Sequence, residues 1–262
     1  MERLFIREKR EETAPGHLLG VTGLCRGSGV TAAASSAAMF LAEQGLEVRY
    51  TECAAPEPGR PLLYEAAAFS ERFRGRSFQD VYSLLADDKA ISGNPNLEMG
   101  VSWILAPPES RDHCAAFTET MRGRLIRHGM RAEYAVFDCL SGDESWFPYL
   151  RDFDAVLVLV DPLPSRLEAG MPVFRKMKAL ENEGKVQVFW LVNRMCSSVS
   201  RRQMRRFLMS RRIFWVDDLG RDCFCQNEYC CRLHWENQKI REAFQPVFQD
   251  MFSELEWIAA AK

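Results

Sequence analysis

Residues 154–162 read "DAVLVLVDP", an unbroken apolar run closed at each end by a carboxylate. A strand with one wet face would alternate apolar and polar residues, and this one does not. It has to be covered on both faces, which in practice means a parallel sheet with helices on each side. Residues 134–140 ("YAVFDCL") and 186–194 ("VQVFWLVNR") have the same character. Shorter strands are expected at 18–22, 46–53, 97–107 and 213–218. Helices are expected at 31–44, 64–74, 78–86, 117–128, 166–182, 200–210 and 237–260. Strand and helix therefore alternate along the chain, and the predicted fold class is α/β, a doubly wound and mainly parallel sheet flanked by helices. Residues 1–14 form a charged extension, and residues 15–262 form a single domain with no linker or repeat to divide it.

The bulk numbers close off other classes. A net charge of −2 with 27% charged residues gives no overall bias toward nucleic acid or membrane. No run of about 18 apolar residues is present, so no transmembrane segment is expected. The N-terminus has no apolar stretch of leader length. The expected location is the cytoplasm, with peripheral attachment to a membrane surface left open. Nine cysteines without a leader read as free thiols rather than a disulfide framework.

Ligands of doubly wound sheets bind beyond the carboxyl ends of the strands. The first strand ends there in "GLCRGSGVT" (residues 23–31), which opens an alanine-rich helix. A phosphate-binding loop reads G-x-x-x-x-G-K-[ST]: its backbone N–H groups cradle phosphates, its lysine reaches the β and γ phosphates, and its hydroxyl binds magnesium. Gly27, Ser28, Gly29 and Thr31 fit the second half of that pattern. Leu24 stands at the first glycine, one place after Gly23, and Val30 stands at the lysine. The alternative is a glycine-rich strand-to-helix turn that binds nothing.

Taken in order, the loop with its helix, "LEVRYTEC", "YAVFDCLSGD", "FDAVLVLVDPLPSRLEAG" and "VFWLVNR" resemble the ParA/MinD group of P-loop ATPases, including pilus-assembly localisation proteins of the TadZ/CpaE type. The resemblance spans residues 15–255. It implies a site for ATP or ADP with Mg2+, built on Arg26, Gly27, Ser28, Gly29, Val30, Thr31, Asp138 and Asn193. Asp138 would hold a magnesium-bound water, and Asn193 would meet the adenine base. Residue by residue, Asp138 also reads as a cap after its strand, and Asn193 as a polar strand end.

Three departures remove chemistry. Val30 replaces the phosphate lysine, Cys25 falls where the family's trans-acting lysine stands, and Ala54 falls at its catalytic aspartate. The resemblance therefore implies a protein with a degenerate loop: a non-hydrolysing scaffold or localisation factor of the pilus-assembly, division-site or partition type, paired with itself or another protein. An active ATPase in which Arg26 replaces the loop lysine is the alternative.

Two further clusters stand out. Cys223, Cys225, Cys230 and Cys231, with His234, could hold zinc or an iron–sulfur cluster and make a metal or redox sensor. Their C-x-C and C-C spacing is not that of a zinc knuckle, so zinc is not expected and a loop of separate thiols is the simpler reading. Residues 201–212 carry six arginines, four of them in i, i+4 pairs on one helix face. That face suits non-specific contact with DNA or anionic lipid, or plain solvation. The last helix has an acidic polar face and reads as one packed on the sheet rather than on a bilayer.

Overall fold

The computed structural model describes residues 16–53, 79–106, 118–139, 141 and 144–259. The expected extension at 1–14, the helix expected at 64–74 and Ala54 lie outside the described residues.

The apolar runs do become sheet. Strands β1 (His17–Gly23), β2 (Val48–Glu52), β3 (Leu97–Glu98), β4 (Val101–Ile104), β5 (Tyr134–Asp138), β6 (Ala155–Val160), β7 (Gln187–Met195) and β8 (Ile213–Asp217) form one sheet in the order β3-β4-β2-β5-β1-β6-β7-β8. Every neighbouring pair is parallel except β3 with β4. All residues of β5 and β6 are buried, as strands covered on both sides must be. The expected doubly wound, mainly parallel sheet is the observed one.

Helices cover both faces. On one lie α1 (Val30–Glu43) and the last helix, α8 (Gln238–Glu254). On the other lie α2 (Val81–Ala86), α3 (Glu119–Gly129), the pair α4 (Pro164–Ala169) and α5 (Met171–Glu183), and α6 (Arg201–Leu208). The short helix α7 (Arg221–Tyr229) precedes α8. In α1, Ala33, Ala34, Ala37 and Ala38 are fully buried, so small side chains let the helix sit close to the sheet. Phe40 of α1 meets Phe248 and Phe252 of α8, each at 5.8 Å between ring centroids. Burying such a ring is worth about 1.5–3 kcal/mol.

Four elements differ from the sequence-based expectation. The strand expected at 97–107 is a hairpin: Met99 and Gly100 turn between β3 and β4 with φ 52° and 78°, the left-handed pair that a two-residue hairpin loop needs. The helix expected at 166–182 is two helices. Pro172 lies in the first turn of α5, where its missing N–H costs nothing, but in a continuous helix it would break the ladder. The helix expected to reach residue 260 stops at Glu254. Glu256 is left-handed, and Trp257 folds back to stack on Phe252 at 5.4 Å. The expected cysteine loop is in part the helix α7.

Candidate functional site at the carboxyl ends of the strands

β1 lies between β5 and β6, so successive connections leave toward opposite edges of the sheet at this point. The crevice of a doubly wound sheet opens at such a reversal. The residues singled out in the sequence lie at this end: the loop after β1, Asp138 ending β5 and Asn193 near the end of β7, with Asp161 following β6 beside them.

The loop is held by its backbone. Leu24 N–H donates to the Leu159 carbonyl at 3.0 Å, and Ala33 N–H donates to Gly29 O at 3.0 Å to begin α1. Gly29 caps the helix with φ 99°, a conformation closed to most side chains. A β-carbon there would also come within 2.7 Å of Asn193 Nδ2. Gly23 has no such room either: a β-carbon would collide with Ser28 Oγ, Ser141 Oγ and Val30 Cγ2. The Val30 side chain thus lies over Gly23 and joins the apolar cluster beneath α1, 8% exposed. Arg26 and Gly27 are exposed on the rim, Ser28 is buried, and Thr31 is half-buried in the first helical turn. Among the described residues, the buried hydroxyls of Ser28 and Thr22 have no hydrogen-bond partner.

Asn193 clamps the loop from across the sheet. Its Nδ2 donates to Ser28 O at 2.9 Å, and its Oδ1 accepts from Arg194 N–H at 2.9 Å. Both ends of the amide are therefore committed to protein backbone. Arg194 adopts φ 60° at an irregularity in β7. Its guanidinium reaches Asp161 at 2.9 Å. Cys25 sits beside this pair, and burial pushes its thiol up, with Asp161 adding to the rise while Arg166 and Arg194 oppose it.

Asp138 is 1% exposed, and its Oδ2 accepts from the Tyr50 hydroxyl at 2.9 Å. Tyr50 comes from β2, in register beside β5, and its ring meets Trp103 at 5.1 Å. Burial pushes the Tyr50 phenol well above its usual range, and the charges of Asp138 and Glu52 push the same way. Glu52 is buried and accepts from Ala106 N–H at 3.1 Å. Cys53 and Cys139 continue β2 and β5 side by side, and Cys53 N–H donates to Asp138 O at 3.0 Å. Burial first, then the neighbouring Cys139, lifts the Cys53 thiol well above the usual value. The sequence points to Asp138 but not to Tyr50: 88 positions separate them, and no local pattern links them.

The cysteine cluster is dispersed. Cys223 is buried in α7 with its thiol on Leu219 O at 3.3 Å, Cys225 and Cys230 are exposed, and Cys231 is half-buried. Among the described residues no three His, Cys, Asp or Glu side chains are placed to hold a metal ion. The arginines of α6 are exposed, while Met204 and Leu208 anchor the helix. Arg201 and Arg205 stand over the Trp215 ring at 5.5 and 5.8 Å, and Arg212 pairs with Glu254. No helix among the described residues is long and apolar enough to cross a membrane.

No protein-family profile and no curated protein matches the sequence. Solved structures do match in three dimensions. The septum site-determining protein MinD of Pyrococcus horikoshii, complexed with Mg-ADP, superposes with a TM-score of 0.70 at 11% identity, over 92% of this chain and 97% of that one. A ParA family ATPase from Chlorobium tepidum gives 0.64 at 12% identity, over 90% and 97%. A plasmid partition protein from Borrelia burgdorferi bound to AMPPNP gives 0.63 at 14% identity, over 88% and 99%. With its mostly parallel sheet, flanking helices and glycine-rich loop after β1, the chain has the fold of the MinD and ParA ATPases.

Proposed function

We propose that the chain is a degenerate ParA/MinD-like protein that serves as a scaffold or localisation factor, of the kind that places pili, division sites or partition complexes, and that does not hydrolyse nucleotide. One observation supports the reading: Val30, which the sequence resemblance sets at the loop's lysine position, has its side chain in the core beneath α1. A valine methyl cannot meet a phosphate. Phosphoryl transfer rests on positioning and charge stabilisation, and losing one preorganised contact costs about 3 kcal/mol of barrier. Cys25 and Ala54 withdraw two more.

What remains can still bind. The loop's N–H groups and the amino end of α1 favour an anion, and Arg26 lies on the rim. The Pyrococcus protein holds Mg-ADP and the Borrelia protein AMPPNP, which makes an adenine nucleotide the ligand class to test. Weak binding there would set the shape of the exposed end of the molecule, where a second copy or a protein partner docks. The arginine face of α6 offers a further contact for DNA or an anionic membrane surface.

The test is ATP turnover by purified protein, with sedimentation to read the assembly state. Negligible turnover by a folded dimer is expected. Robust magnesium-dependent hydrolysis that disappears in Thr31→Ala and Asp138→Asn refutes the reading. Hydrolysis that disappears in Arg26→Ala would instead identify an ATPase running on a substitute cation.

A further inference from the structure

Cys53 and Cys139 are free thiols, 3% and 2% exposed. They extend β2 and β5, parallel neighbours whose register runs from Val48 with Tyr134 to Glu52 with Asp138. One more step sets Cys53 opposite Cys139, and the bond from Cys53 N–H to Asp138 O carries the ladder that far. Both side chains lie on the same face, in the apolar cluster that holds Val81 and Tyr82 of α2 and Leu125 of α3. There the two thiols share a hydrogen bond, and Cys53 Sγ also faces the Thr51 carbonyl oxygen at 3.6 Å. Neighbouring strands run about 4.8 Å apart, inside the range of about 4.4–6.8 Å between the α-carbons of a disulfide. The spacing of the sheet itself brings the pair within bonding reach.

The surroundings select among the products that sulfur can form. Burial, with Cys139 alongside, holds the Cys53 thiol in its protonated form. An apolar cluster disfavours a thiolate, and it disfavours a charged sulfinate for the same reason. A disulfide is neutral and compact, and it suits the place. A sulfenic acid formed on either sulfur lies against the other thiol, which captures it before a second oxidation.

We propose that Cys53 and Cys139 form a reversible redox site, in which hydrogen peroxide closes them into a disulfide that ties the end of β2 to the end of β5 beside Asp138. One sulfur attacks the O–O bond, keeps one oxygen as sulfenic acid and releases the other as water. The second sulfur displaces that oxygen as a second water. The two thiol protons leave in the waters, and two electrons pass from the thiols to the peroxide. A dithiol such as dithiothreitol restores both thiols by exchange. The inference does not depend on the loop binding phosphate.

The experiment treats folded protein with excess hydrogen peroxide, alkylates the remaining thiols in urea, and maps tryptic peptides by mass spectrometry without reduction. The expected product is a peptide pair joined through Cys53 and Cys139. It should account for most of the protein, vanish after dithiothreitol, and be absent from treated Cys139→Ala. The two residues are far apart in the chain, so the cross-link restricts the unfolded state, and the oxidised protein should melt about 5–10 °C above the reduced one. Cys196, Cys225 and Cys230 are exposed and oxidise as well, so the melts are run with all three replaced by serine. A map that recovers Cys53 and Cys139 both alkylated overturns the inference, as does one in which either carries a sulfinic acid in place of the cross-link. A cross-link from Cys53 to any other cysteine also overturns it. A linked pair that leaves the melting temperature unchanged overturns the tie between the strand ends. Should Cys139→Ala not fold, Cys53→Ala takes its place, and the wild-type map decides in either case.

Discussion

Replacing Asn193 tests whether the loop is held by the clamp the structure shows. The side chain is 6% exposed and makes two hydrogen bonds of 2.9 Å, one donated to Ser28 O and one accepted from Arg194 N–H. Each is worth about 1 kcal/mol net, and a buried group left without its partner costs about 1–3 kcal/mol. Asn193→Ala should therefore lower stability by about 2–4 kcal/mol. Urea unfolding reads this as a lower midpoint with an unchanged slope. Asn193→Asp separates the two bonds. It can still accept from Arg194 N–H, but it has no proton for Ser28 O and sets a carboxylate against that carbonyl. Burial and the facing oxygen raise the folded-state pKa of the new acid above its unfolded value of about 3.9. The penalty is then full above the folded pKa and fades as pH falls toward the unfolded one, because a protonated carboxyl can donate. The gap between Asn193→Asp and wild type should narrow on acidification, while that of Asn193→Ala should not. An alanine variant within about 0.5 kcal/mol of wild type, the range of an ordinary surface change, refutes the clamp. So does an aspartate variant whose deficit ignores pH.

Val30→Lys forces a longer, charged side chain onto Gly23, so thermal melts should show a loss of about 1–3 kcal/mol from overpacking. Calorimetry should at the same time show tighter nucleotide binding by about tenfold or more, and unchanged affinity would mean that the loop is only a turn. Burial lowers the pKa of His128 and of His234 to about 4, with Arg49 and Arg131 adding to the effect at His128. The unfolded chain takes up these protons first, near pH 6.5, so stability should fall between about pH 6.5 and about 4 and level off below. His128→Leu should flatten part of that slope in urea midpoints measured across the range, and an unchanged slope counts against the assignment.

The sheet was legible in the sequence because burial on both faces leaves a mark on every residue. β6, with all six residues apolar, could be little else. The hairpin at Met99 and Gly100 was harder, because β-strand residues continue on both sides and only one glycine marks the turn. The break between α4 and α5 does carry a local sign, Gly170 followed two places on by Pro172. Helix α7, a nine-residue segment of mixed polarity, shows no apolar stripe. At the site, the loop and Asp138 were visible as motif fragments, since spacing along the chain defines them. Their actual partners were not. The bond from Asn193 to Ser28 spans 165 positions, and the ion pair of Arg194 with Asp161 spans 33. Such contacts are set by strand order, which no short window of sequence encodes.

The central place of β1 has a consequence for how the protein is made. The first strand of the sheet pairs at Leu19 with Val136 on one side and Ala155 on the other. Its strand partners therefore follow it by more than a hundred residues. Among the described elements, the helix that closes over α1 follows all the others in the sequence. Ordering by such distant pairings is slow, so the nascent chain exposes its valine-rich segments late into synthesis, and its yield in the cell should depend on chaperone supply more than its folded stability alone would suggest.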